Sequence, residues 1–172
     1  MATKTLSNEF MQRIVDEGAW KILSFELSWT EQLLEKYEDK IDWNKLSENR
    51  DILWTIPMLQ KFKYRINWDK LSAYANKSVI TENCIEAFKD KWNWNELSNN
   101  RCITNELLDK FVDKWNWEAL IDSYFSLFSE ESAIEFYEKY KDFIPAAKLQ
   151  ESYLWEKIKE QRAQQILSEI TT

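Results

Sequence analysis

Residues 90–100 read DKWNWNELSNN, and residues 113–123 read DKWNWEALIDS, a near-copy displaced by 23 residues. Repetition at such a spacing is the signature of a structural array. Working outward from these two copies, Thr104 and Thr81 belong to a series of hydroxyl residues: Ser7, Thr30, Thr55, Thr81, Thr104 and Ser129. They lie 23, 25, 26, 23 and 25 residues apart. Each follows an apolar residue (Leu6, Trp29, Trp54, Ile80, Ile103, Phe128), and Met11, Leu34, Leu59, Ile85, Leu108 or Ala133 stands four residues after it. A hydroxyl N-cap accepts a hydrogen bond from an orphan N–H of the first helical turn. An apolar residue before the cap packs on the fourth helical residue as a staple. Both signals together predict six helix starts.

Seven residues after the caps stand Ile14, Tyr37, Phe62, Phe88, Phe111 and Phe136; eleven after stand Gly18, Ile41, Ile66, Trp92, Trp115 and Tyr140. Positions +4, +7 and +11 fall on one stripe at 3.6 residues per turn, which predicts a helix of about three turns. Pro57 sits inside a first turn, where a missing N–H costs little. At +13 come Trp20, Trp43, Trp68, Trp94 and Trp117, preceded by Ala19, Asp42, Asn67, Asn93 and Asn116, and followed by Leu23, Leu46, Leu71, Leu97 and Leu120. Asp and Asn there either cap a second, shorter helix or close the first in a left-handed conformation; both readings give a corner. Asn93-Trp94-Asn95-Glu96 has the spacing of a capping box. The sixth copy carries Asp142 at +13, with Phe143 and Ile144 as substitutes after a small slip.

A unit of this length cannot bury its own stripe, but stacked neighbours can. The expectation is an all-α, solenoid-like stack of about six two-helix repeats. It spans one domain, residues 1–172, with repeats over 7–143 and a cap over 144–172 that includes a closing helix from about Ser152. The expected core is Trp20, Trp43, Trp68, Trp94 and Trp117 with Phe62, Phe88 and Phe111. Trp29, Trp54 and Trp155 are candidates for exposure at a contact surface. The composition agrees: one Gly and two Pro are too few for sheets, and a hydrophobic content of 44% is too high for a disordered chain.

The unit W-N-W-x-x-L-S-x-N-x-x-I-T, clearest over Trp92–Thr104, resembles short tandem repeats in proteins of large DNA viruses and some bacteria. The resemblance covers roughly 7–143 and implies a helical repeat array. It implies no shared activity, so no functional residue is carried over.

Chemistry is sparse. The chain has no His, which removes the usual general base and zinc ligand. One Gly cannot build a phosphate-cradling loop. Glu9, Glu31, Glu82, Glu106, Glu130 and Glu131 fall in predicted first turns, where the helix dipole favours negative charge. Cys84 takes an inward position and Cys102 a loop, and neither has a visible base partner. No catalytic residue, metal site or cofactor is expected. No run of about 18 apolar residues exists, so no membrane span is expected, nor is there a signal-peptide core at the start. Two Cys suggest a reducing, intracellular (cytoplasmic) setting.

One surface pattern stands out. Lys40, Arg65, Lys91, Lys114 and Lys139 stand at +10, with Lys36, Lys61 and Lys110 one turn earlier. Stacking would align them beside the core stripe, either as a solvated face whose stems cover apolar surface or as a mixed-charge binding ridge. Net charge is −7, which argues against nucleic acid as the ligand. The expected function is a non-catalytic helical-repeat module that binds another protein, of unspecified identity and with unspecified oligomeric state. Alternatives are a small inhibitor or immunity protein blocking a basic, nucleic-acid-handling target, a structural part of a larger assembly, and an enzyme using carboxylates alone.

Overall fold

The computed structural model describes residues 9–123, 127–128 and 132–171. Among them are twelve helices and no strand. The expected caps Ser7 and Ser129, the staple residue Leu6, and Glu130 and Glu131 lie outside the described residues. Two compact units form, Met1–Lys91 and Trp92–Thr172. The first holds α1 (Glu9–Glu26), α2 (Glu31–Tyr37), α3 (Trp43–Glu48), α4 (Ile56–Phe62), α5 (Trp68–Tyr74) and α6 (Glu82–Ala87). The second holds α7 (Trp94–Ser98), α8 (Asn105–Lys110), α9 (Trp117–Ile121), α10 (Ala133–Tyr140), α11 (Ala146–Leu149) and α12 (Tyr153–Thr171). The fold is all-α, built of two-helix repeats packed on their neighbours and closed by a C-terminal helix. Contacts run from α1 to α3 and α3 to α5 in the first unit, and from α7 to α9 and α10 to α12 in the second.

Local chemistry sets the helix starts. Thr30, Thr55, Thr81 and Thr104 have extended backbones, and their hydroxyls accept from the N–H groups of Leu33, Met58, Cys84 and Leu107. Both members of the corresponding staples are buried: Trp29 with Leu34, Trp54 with Leu59, Ile80 with Ile85, Ile103 with Leu108. At the corners Asp42, Asn67, Asn93 and Asn116 are N-caps of the short helices. No described residue has a positive φ, so the left-handed alternative is excluded.

The first helices are shorter than expected. They end near +7, and the +7 carbonyl then accepts from +10 and +11: Lys40 and Ile41 donate to Tyr37 at 2.8 and 3.2 Å, and Arg65 and Ile66 to Phe62 at 2.9 and 3.1 Å. That tightened turn lets the chain reverse without glycine. Repeat one does not reverse at all. Ala19 stands where a capping Asp or Asn stands elsewhere, and α1 runs straight through it.

Repeat six is shifted by one full helical turn relative to the sequence alignment. The Tyr140 carbonyl accepts from Phe143 and Ile144, as Tyr37 does from Lys40 and Ile41. Tyr140 lies 4.9 Å from Trp117, Pro145 occupies the corner cap, and Leu149 is buried in the short helix. Tyr140, rather than Phe136, is therefore the counterpart of Phe111. Lys139 is the counterpart of Lys61 rather than of Arg65.

The tryptophans divide differently from expectation. Trp117 is buried, but Trp20, Trp43, Trp68 and Trp94 are half-buried. Each stacks on the aromatic residue of the next repeat: Trp20 on Tyr37 and Trp43 on Phe62 at 5.3 Å, Trp68 on Phe88 at 5.2 Å, Trp94 on Phe111 at 5.7 Å. Three of the corner indoles, the buried Trp117 among them, close the end of the preceding turn with their N–H groups. Trp43 donates to Glu38 O, Trp68 to Lys63 O and Trp117 to Val112 O, at 2.9–3.0 Å. Trp29 and Trp54, the candidates for exposure, are core residues: they are the staples. Trp155 is half-buried.

Two polar relays tie neighbouring repeats. Ser24, Ser47 and Ser98 are buried. Each hydroxyl donates to the Trp carbonyl four residues back and accepts the corner N–H of the next repeat, from Asp42, Asn67 or Asn116, at 2.9–3.0 Å. Asn49 donates to Ser24 O and Leu27 O and accepts from Asp51 N. Asn76 repeats the pattern on Arg50 O, Ile52 O and Ser78 N. Side chains thus meet the carbonyls of Ser24, Leu27, Arg50 and Ile52 and the corner N–H groups of Asp42, Asn67 and Asn116.

Candidate protein-binding surface

The ridge cations all lie at the surface. Most of those with a visible carboxylate partner take it from the preceding repeat. Lys61 bonds to Glu31 at 3.2 Å and also to Glu35. Arg65 holds Glu38 at 3.1 Å and Asp39 at 3.2 Å. Lys139 holds Asp109 at 2.7 Å, with the Tyr140 hydroxyl on the other carboxylate oxygen at 2.8 Å. Lys91 lies over the Tyr64 ring at 5.5 Å, Lys36 over Tyr37 at 5.1 Å and Lys40 over Trp20 at 5.6 Å. Lys110 and Lys114 are exposed. Lys61, Arg65 and Lys139 therefore act first as ties between repeats. Exposed pairs of this kind contribute about 0–1 kcal/mol each, and their main effect is to fix which acid faces which base.

The electrostatics follow this geometry. The bond from Lys139 chiefly, helped by Tyr140, holds the Asp109 carboxyl below its usual range against the opposing effect of burial. Burial and the bond to Asp109 raise the Tyr140 hydroxyl. The Asp109 contribution is present above the unfolded carboxylate's range and is lost as pH falls through the lowered folded value. Burial pushes the Glu48 carboxyl upward, but Lys70 and Lys45, at 3.0 and 3.1 Å, outweigh it and the net shift is downward.

Glu9, Glu31, Glu82 and Glu106 sit in first turns as expected. Among the described residues no group of three or more His, Cys, Asp or Glu side chains is placed to hold a metal ion. No described helix is long and apolar enough to cross a membrane. Cys84 is buried, and burial pushes its thiol up to about 11; Cys102 is half-buried. A thiol-specific reagent at pH 8 is therefore expected to label Cys102 in the folded chain and Cys84 only after denaturant is added. Rapid reaction of two thiols without denaturant would contradict the packing of α6.

Other exposed groups were missed by a reading that followed the cations. Leu53 is 72% exposed and Tyr64 83%, and Ile56 and Tyr74 are also largely outside the core. Arg50 stacks over the Tyr74 ring at 5.4 Å. Asn76 ties the Arg50–Ile52 segment to its own loop, so Arg50 and Tyr74 are held together by the relay beneath them. Their signal in the sequence is negative: these side chains fall off the +4, +7, +11 stripe. No family model, curated protein or solved structure matches this chain. The resemblance to Trp-rich tandem repeats rests on the repeat unit itself.

Proposed function

We propose that this chain is a non-catalytic protein-binding module, in which a repeat scaffold presents apolar and aromatic side chains from its loops and helix ends. The observation that carries the reading is the Arg50–Leu53–Tyr74 edge. Neither Leu53 nor Tyr74 belongs to the buried core of the first unit, so core packing does not account for them. Tyr and Arg are the residue types that dominate binding energy at protein interfaces, and a scaffold that holds them in place lowers the ordering cost of binding. The net charge of −7 favours a partner with a basic face and disfavours nucleic acid. Two unpaired thiols suit a reducing compartment. The inhibitor reading is the special case in which that basic partner is an enzyme that the contact blocks.

The test is affinity purification of the tagged chain from its native cells, beside a Leu53→Asp, Tyr74→Ala double variant with unchanged circular dichroism. One stoichiometric protein should be retained by the parent, and the variant should bind it at least tenfold more weakly. Equal retention by both, or none by the parent, rejects the reading.

A further inference from the structure

Repeat one departs from the others at the +4 and +7 positions of its stripe. Leu34, Leu59, Ile85 and Leu108 are in the core, whereas their counterpart Met11 is 46% exposed. Phe62, Phe88 and Phe111 are buried, whereas Ile14 is 45% exposed. Val15 is exposed beside them, and a Cβ at Gly18 would meet nothing within 4 Å. The cause is the continuity of α1 through Ala19, with no corner to turn residues 9–18 back along the next repeat.

The surface that should receive those residues is open to the same degree. Lys61 takes a carboxylate from the first helix of the preceding repeat, and Arg65 takes one from that helix's C-cap, Glu38. Lys36 and Lys40 stand at the same positions of repeat two, and among the described residues they have no carboxylate partner. Tyr37 is half-buried where Phe62 is buried. A cleft of about 920 Å³ lies here, lined by Gln12, Asp16, Trp20, Asp39, Lys40 and Ile41 among others.

We propose that this cleft takes the Glu9–Gly18 half of α1 from a second copy of the chain, in a reciprocal exchange of arms. The arm matches the interface already present between repeats. In the register of the other repeats, Asp16 is the counterpart of Asp39, which holds Arg65, so it meets Lys40. Gln12 is the counterpart of Glu35, which holds Lys61, so it meets Lys36. Met11 and Ile14 then enter the buried stripe. The chain's own arm cannot fill the cleft while α1 is straight, because Gln12 and Asp16 of that arm form one wall of it. Folding back would need a corner at Ala19, which has no side chain to cap it as Asp42 and Asn67 do. A reciprocal exchange closes with two-fold symmetry, and Gly18 lets two helices approach closely where they cross.

The experiment uses the full chain carrying Cys102→Ser, Asp16→Cys and Lys40→Cys under mild oxidation, resolved without reductant. A disulfide-linked dimer is expected. A monomer with an internal disulfide means the arm stays against its own chain and overturns the exchange, and so does failure of the two thiols to join. In parallel, sedimentation of the unaltered chain should show a dimer that Met11→Glu with Ile14→Glu converts to monomer while helix content is kept. A monomeric parent, or a variant that remains a dimer, also overturns it.

Discussion

Trp117→Ala is expected to destabilise the Trp92–Thr172 unit by about 3–5 kcal/mol, the range for deleting a buried Trp or Phe. Trp117 is the one corner tryptophan that is buried. Its ring lies 4.9 Å from Tyr140, 5.8 Å from Phe143 and 6.5 Å from Phe136, and its N–H closes the end of the preceding turn on Val112 O at 3.0 Å. Alanine removes the ring contacts, leaves a cavity and orphans that carbonyl. Trp94→Ala removes the equivalent residue where it is half-buried, so it should cost less. Urea melts followed by circular dichroism decide the matter. A loss for Trp117→Ala under about 1 kcal/mol, well below the range for buried aromatics, would mean that the aromatic ladder does not hold this unit together, and a larger loss for Trp94→Ala would reverse the burial ranking.

The same comparison shows what could be read from the sequence. The threonine and asparagine caps act on N–H groups two or three residues away, so Thr30 or Asn67 announces its helix without knowledge of the fold. Anchored on its hydroxyl, Ser129, the sixth repeat reads one turn out of register. Aligning Pro145 with Asn116 and Leu149 with Leu120 would have given the one-turn shift. The staple rule places Trp29 and Trp54 inside, and they are buried. In repeat one, Ala19 was a visible missing cap, but periodicity alone suggested a corner there. The cation series was visible, yet the acids that engage it were not. Glu35 lies 26 residues before Lys61, and Asp109 lies 30 before Lys139, so pairing them needs the pitch of the stack. The recurrent Ser after Leu was equally plain as a pattern. Its role as a two-way relay depends on which corner N–H lies over it, and that is a property of neighbouring repeats in three dimensions.

Asn49→Asp tests the relay with almost no change of shape. The Asn49 amide is buried and donates to two carbonyls, Ser24 O at 3.1 Å and Leu27 O at 2.9 Å, while its oxygen accepts from Asp51 N at 2.9 Å. A carboxylate keeps the acceptor but places a negative charge against two carbonyl oxygens in the interior. The expected cost at neutral pH is about 3 kcal/mol or more. Protonation restores one donor, so the folded state favours the neutral acid and raises its pKa above the unfolded value of about 3.9. For a carboxyl shifted upward the charge penalty is absent below the unfolded value and grows as pH rises through the folded one. The difference in urea midpoint between Asn49→Asp and the parent should therefore narrow on acidification, whereas the difference for Asn49→Ala should stay level. Loss of the Asp109–Lys139 tie in acid affects parent and variants alike and cancels in these differences. A pH-independent deficit for Asn49→Asp would show that the amide donors are not what holds the loop of repeat two against repeat one, and that packing around Ile52 does so instead.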